Sequence, residues 1–293
     1  MLYIISDGNM TVKASDIGAE LQSIELSDHE FLYDGNGLWD RRAPILFPIV
    51  GRLQNNTYRY NGKEYQMGGH GFARDMKFSL ACRTENSLTF MLTETAETLK
   101  IYPFRFVLTV KYEIVGDVLE VTYTVRNPDT ASPLLYSIGA HEAYFCPMNE
   151  GKRFEDYCLE FETCETAKAF EVAPPLLSGR TYDFFDGSNT VPLKYGYFDV
   201  DAIVLKEHRS TRLTLREKNG DTGVEVGFAD FPFLGIWTKP GANFLCIEPW
   251  CGVCDTAGVS GELTEKEGVI TLPPRGEKSV THTIKPIINS WYL

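Results

Sequence analysis

Between Phe104 and Val125 the chain alternates with a period of two, and few folds accommodate that pattern. Phe104, Phe106, Leu108, Val110, Tyr112 and Ile114 share one face, while Arg105, Thr109, Lys111 and Glu113 lie on the other. Side chains alternate sides only along an extended strand, so this segment predicts a half-buried antiparallel strand. Gly116-Asp117 turns the chain, and Val118 to Val125 alternates again with Glu120, Thr122 and Thr124 outward, completing a long hairpin. Tyr58 to Tyr60 and Lys63 to Gln66 flank Asn61-Gly62, a pair suited to the positive φ angles of a type I′ turn. Lys77 to Arg83 and Leu88 to Thr93 flank Glu85-Asn86.

Further short strands are predicted at Ala202 to Leu205, Arg212 to Arg216, Val224 to Phe228, Leu234 to Trp237, Phe244 to Glu248, Val269 to Leu272 and Ser279 to Ile287. The N-terminal MLYIIS reads as an edge strand. Only Glu94 to Lys100, stopped by Pro103, predicts a helix of more than one turn, which disfavours alternating βαβ units and their nucleotide crevice. The expected fold is therefore all-β: a large antiparallel β-sandwich with few short helices. No linker, charge break or short-period repeat divides the 293 residues, so one domain over residues 1–293 is expected.

Charge narrows the partners. There are 28 Lys and Arg against 40 Asp and Glu, a net charge of −12, which repels phosphate backbones and anionic lipid surfaces. Nucleic acid and membrane are not expected as partners. Ala43 to Val50 is far shorter than the ~20 apolar residues of a membrane helix, and the N-terminus lacks the basic and apolar layout of a secretory signal. Seven cysteines in such a chain read as reduced thiols, and the expected location is cytoplasmic.

There is no phosphate loop, nucleophile elbow or zinc-protease helix, for His141-Glu142 begins the last pattern and Phe145 ends it. Cys251 and Cys254, with Cys246 upstream, lack the second pair that a closed zinc site requires and read as buried, inert thiols. His29, His208 and His282 lie among charged or alternating residues and read as surface imidazoles. His70 is different: it sits among three glycines in Met67-Gly-Gly-His-Gly-Phe-Ala-Arg-Asp75, a tight loop able to approach a ligand. His141, at the end of Tyr136-Ser-Ile-Gly-Ala140, either points into a cleft or is a bonded core residue.

Glu248 is the most informative position. Phe244-Leu-Cys-Ile-Glu-Pro-Trp250 puts one carboxylate in an apolar strand, where burial raises its proton affinity toward that of a general base near neutral pH. The structural alternative is a buried ion pair with Arg52. Asp201 is placed either to bind a polyol or to cap the strand that follows. Trp237 and Trp250 could stack on a sugar ring or simply fill the core.

Taken together, Ala43-Pro-Ile-Leu-Phe-Pro-Ile-Val-Gly-Arg-Leu53, His70-Gly-Phe-Ala-Arg74, Ser137-Ile-Gly-Ala-His141, Asp201-Ala-Ile-Val204 and Ile247-Glu-Pro-Trp250 resemble, in order, the aldose 1-epimerase (mutarotase) superfamily and its LacX-like branch. The resemblance runs essentially the whole chain. It implies a galactose mutarotase-like supersandwich, an isomerase needing no metal or cofactor, and a small sugar substrate, an aldohexose or hexose 6-phosphate, handled by a monomer or homodimer. It further implies that Glu248 takes the proton of the C1 hydroxyl while His141 protonates the ring oxygen. Arg52 and His70 would bind near the reacting centre, Asp201 would hold ring hydroxyls, and Trp237 would line the pocket. Arg74 with Arg52 could contact a phosphate, or Arg74 could pair with Asp75.

Ala140 and Glu142 stand where that branch shows Gly and Pro. A Glu142 close to His141 is expected to raise the imidazole pKa, and one pointing outward to do nothing. The competing readings are a non-catalytic sugar binder, which has no need of an acid and a base, and a glycoside hydrolase pairing Glu248 with Asp201.

Overall fold

A computed structural model describes residues 1–288. The strands predicted from alternation form, with ends moved by a few residues. Val107–Val115 pairs with Val118–Arg126 around Gly116-Asp117, and each has alternate residues buried. Asn61 and Gly62 both take positive φ, 51° and 71°, between Thr57–Tyr60 and Lys63–Gln66. Leu2–Ser6 is the edge of a four-stranded N-terminal sheet.

Two large antiparallel sheets dominate. A nine-stranded sheet carries the long hairpin at its centre beside Glu277–Ile287. A seven-stranded sheet runs from Ile138–Gly139 through Phe244–Cys251, Phe233–Trp237, Ile203–Lys206 and Lys168–Ala173 to Leu176–Asp183, and Glu142–Phe145 also pairs with Phe244–Cys251. Leu245 and Ile247 of this sheet share one apolar cluster with Leu108, Val110, Val121 and Ile284 of the nine-stranded sheet. Burying both faces in this way supplies the main drive for folding.

The expected helix is shorter than its sequence suggested. Of that segment only Thr98–Ile101 is α-helical, a single turn, because Thr95 and Thr98 exchange side-chain and backbone hydrogen bonds that close the chain locally before Pro103 stops it. Among the described residues, no helix is long and apolar enough to cross a membrane.

One local interruption of the sheet positions the site. Ile138 and Gly139 pair with Cys251 and Trp250, and Glu142 to Phe145 pair with Ile247 to Phe244. Residues 140 and 141 fall in the gap, opposite Glu248 and Pro249. Proline has no N–H to offer a ladder, so pairing cannot run on unbroken there. His141 is thereby set free of the ladder directly across from Glu248.

Candidate active site

The open face of the seven-stranded sheet bears a cleft of about 560 Å³. All seven residues singled out in the sequence line it: Arg52, His70, Arg74, His141, Asp201, Trp237 and Glu248. Its floor is built by Trp250, whose indole lies between two glycines. A Cβ on Gly139 would come within 2.6 Å of that ring, and one on Gly235 within 2.5 Å, so only glycine leaves room on either side.

Glu248 is 1% exposed and His141 8% exposed. Their side chains approach to 3.3 Å between Nε2 and Oε2. Among the described residues, Glu248 Oε2 and His141 Nδ1 have no hydrogen-bond partner. The ion pair of Glu248 with Arg52 does not form; the neighbour is His141.

Burial pushes the Glu248 carboxyl well above the usual carboxylate range, and the carboxylates of Glu142 and Asp201 push the same way. Burial drives His141 well below the usual imidazole range, and His70, Arg74 and Arg41 add to this. Both groups thus favour their neutral forms, a carboxylic acid and a neutral imidazole, which together hold one acidic proton.

Aromatic rings fix the imidazole of His141. Trp39 stacks on it at 5.0 Å, Trp237 meets it edge-on at 5.9 Å, and His70 packs edge-on at 5.6 Å. His70 adopts φ +65°, and its Nδ1 accepts a hydrogen bond from the Gly51 N–H at 3.2 Å. Burial, with Arg74, Arg52 and Arg41 nearby, pushes its pKa down to about 3. A neutral imidazole that accepts at Nδ1 carries its proton on Nε2, so His70 is a hydrogen-bond donor.

Three arginines crowd this side of the cleft. Arg41 bonds Asp75 at 2.8 Å, and Arg74 lies 3.7 Å from the same carboxylate while donating to Gly69 O at 2.9 Å. The Arg74–Asp75 pairing anticipated as an alternative is therefore present, yet Arg74 still lines the cleft. Arg52 is exposed, and among the described residues its guanidinium makes no hydrogen bond or ion pair. Asp75 thus pairs with Arg41 and Arg74 but not with Arg52. Asp201 accepts a hydrogen bond from its neighbour Ala202 at 2.8 Å, so it caps its strand and lines the cleft at once.

Two expectations need correction. Glu142 neither points outward nor raises the His141 pKa. It is 2% exposed, turned from the cleft into the space between the sheets, and His282 Nε2 lies 3.1 Å from its Oε1. Register explains this: Glu142 is opposite Ile247, a core residue, and its field falls on Glu248 instead. His282 is not a surface imidazole but fully buried. His29 and His208 are half-buried.

Sequence reasoning missed Trp39 and Arg41, as well as Pro174 and Pro175 on the opposite wall. Trp39 and Arg41 lie in an irregular loop between Glu30 and Gln54, where no periodicity reports which way a side chain points.

One consequence is measurable. Below the pH window in which the pair holds one proton, His141 gains a second; above it, Glu248 loses the only one. With the carboxyl raised and the imidazole lowered, the acid limb of activity carried by this pair reports His141 and the alkaline limb reports Glu248. Glu142→Gln removes a negative charge that favours protonated Glu248, so the alkaline limb should move to lower pH while the acid limb stays in place. A pH–rate profile with both limbs unmoved would contradict the placement of Glu142.

The pattern of the aldose 1-epimerase family matches residues 1–278. The chain is 36% identical over 277 residues to the chromosomal protein LacX of Lactococcus lactis subsp. lactis, covering 90% of this chain and 92% of that one. A galactose mutarotase related enzyme from Lactobacillus acidophilus superposes with a TM-score of 0.92 at 32% identity, covering 98% of this chain and 97% of that chain. A galactose mutarotase-like protein from Lactobacillus casei ATCC 334 gives a TM-score of 0.92 at 30% identity over 98% and 100% of the two chains.

Proposed function

The chain belongs to the aldose 1-epimerase family of isomerases, and we propose that it interconverts the α and β anomers of an aldohexose, with the 6-phosphate favoured over the neutral sugar. The observation that carries this is a buried carboxyl and imidazole 3.3 Å apart in a cleft rimmed by three arginines.

Opening a cyclic hemiacetal needs a base at the C1 hydroxyl and an acid at the ring oxygen. With the shared proton on His141, Glu248 takes the hydroxyl proton, the C1–O bond of the ring breaks, and His141 delivers its proton to the released oxygen. Rotation about C1–C2 turns the aldehyde over. Reclosure reverses both transfers, so each group returns to its starting state and either anomer results. The proton count never changes; only its place within the pair does. Burial favours the proton on Glu248, and sugar hydroxyls bonded to the carboxylate and the imidazolium would compensate the lost hydration.

Neutral His70 offers Nε2–H to a sugar oxygen, and Asp201 accepts from a ring hydroxyl. Trp237 and Trp250 give apolar surface for the C–H face of the ring. The arginines favour an anionic substituent, since a guanidinium binds phosphate through charge-assisted, paired hydrogen bonds. Arg52, whose guanidinium has no partner among the described residues, is the cation we assign to this contact.

Arg52→Ala is expected to raise KM for glucose 6-phosphate by about 10-fold, the loss of one charge-assisted hydrogen bond, with little change for glucose. Steady-state rates of anomer exchange on both sugars test this. An equal effect on the two would remove phosphate from Arg52.

A further inference from the structure

We propose that Cys246, His141 and Glu248 form a binding site for a thiophilic divalent cation such as Zn²⁺, and that filling this site shuts off the sugar chemistry.

Cys246 lies two residues before Glu248 on one strand, so the two side chains share a face. Its Sγ, a ring nitrogen of His141 and a carboxylate oxygen of Glu248 all lie within 4.8 Å of one another. Two ligands about 2.0–2.1 Å from zinc at the tetrahedral angle are roughly 3.3 Å apart. His141 Nε2 and Glu248 Oε2 are 3.3 Å apart already. The thiol has at most ~1 Å to close, since a zinc-bound sulfur sits about 3.6 Å from such neighbours.

Other observations point to the same place. Glu248 Oε2 is buried with no hydrogen-bond partner among the described residues. His141 and Glu248 line the cleft, by which the ion would enter. A sulfur, an imidazole nitrogen and a carboxylate oxygen suit Zn²⁺, Cd²⁺ or Co²⁺, and disfavour Mg²⁺ and Ca²⁺, which prefer oxygen donors.

Binding must expel the thiol proton. Burial holds Cys246 well above the usual thiol range, and Glu248 and Glu142 push the same way, so affinity will rise with pH. A metal on His141 Nε2 and Glu248 Oε2 occupies the lone pairs that would carry the catalytic proton. The cation therefore competes with the sugar. That inhibitory consequence rests on the roles proposed for His141 and Glu248, whereas the binding itself does not.

The test is a Co²⁺ titration of the folded, full-length protein, followed by the sulfur-to-cobalt charge-transfer absorption, alongside Cys246→Ala. Cys82 and Cys164 are exposed and Cys254 lines the cleft, so the variant separates Cys246 from the other thiols. Expected are one tight Co²⁺ per chain with a thiolate band, lost in Cys246→Ala. The variant should also need ~10-fold or more Zn²⁺ for half-inhibition of anomer exchange while keeping its turnover without metal. No band in the wild type, a band that persists in Cys246→Ala, or unchanged Zn²⁺ sensitivity in that variant would overturn the site. A Cys246-dependent band on a protein without anomer exchange would uphold the site and count against the epimerase reading instead.

Discussion

Glu248→Gln is expected to lower kcat for anomer exchange by about 10³-fold, the usual contribution of a positioned acid or base, while the protein stays folded and still binds sugar. The amide has the carboxyl's shape and, like the protonated acid that burial favours, carries no charge. Removing the carboxyl therefore adds no buried charge and leaves no cavity. What is lost is the ability to accept a proton from the C1 hydroxyl, a requirement of the transition state. The deficit should sit in kcat with KM little changed, equivalent to about 4 kcal/mol of barrier. NMR saturation transfer between the anomeric protons measures it, and near wild-type exchange would remove Glu248 from the base role.

His282→Ala is expected to cost roughly 3–5 kcal/mol of stability, because it leaves the Glu142 carboxylate buried between the sheets without its partner. The surroundings offer little relief. Glu142 Oε2 and the hydroxyls of Tyr123 and Tyr144 already lack hydrogen-bond partners among the described residues, so the pocket is polar but incompletely bonded. Adding Glu142→Leu to His282→Ala should recover much of the loss, since it removes the stranded charge. Urea unfolding of the two single variants and the double variant forms a cycle whose coupling term isolates the pair. Additive losses would show that Glu142 and His282 do not act together.

This pair also illustrates what the sequence carried. Val280, His282 and Ile284 are alternate residues of one strand, and the first and third are apolar. The period-two rule that located the long hairpin therefore also put His282 on the inward face. Its polar neighbours, Thr281 and Thr283, misdirected the assignment, and polarity next to a residue in a strand reports on the opposite face. Glu142 could not be oriented without the register, because the break at residues 140 and 141 decides which way each side chain turns.

Glu248 was legible for the opposite reason. A lone carboxylate in an apolar strand is costly wherever it sits, and that cost is informative by itself. Trp39 and Arg41 had no such signal, for their placement depends on a loop meeting the cleft from a distant part of the chain. The strands Lys168–Ala173 and Leu176–Asp183 were also missed, since Pro174-Pro175 and a register shift between Phe170 and Val172 blur the alternation. The three-arginine rim was visible only in part, as Arg52 and Arg74, because its third member is Arg41.

The central claim is that one buried proton, shared between His141 and Glu248, opens and recloses a sugar hemiacetal. Saturation transfer between the α and β anomers of glucose 6-phosphate, with glucose and galactose alongside, tests it most directly. The account predicts protein-dependent exchange, fastest on the phosphate. Sugar binding by the folded protein without any acceleration of exchange would contradict it and leave the cleft a binding site alone.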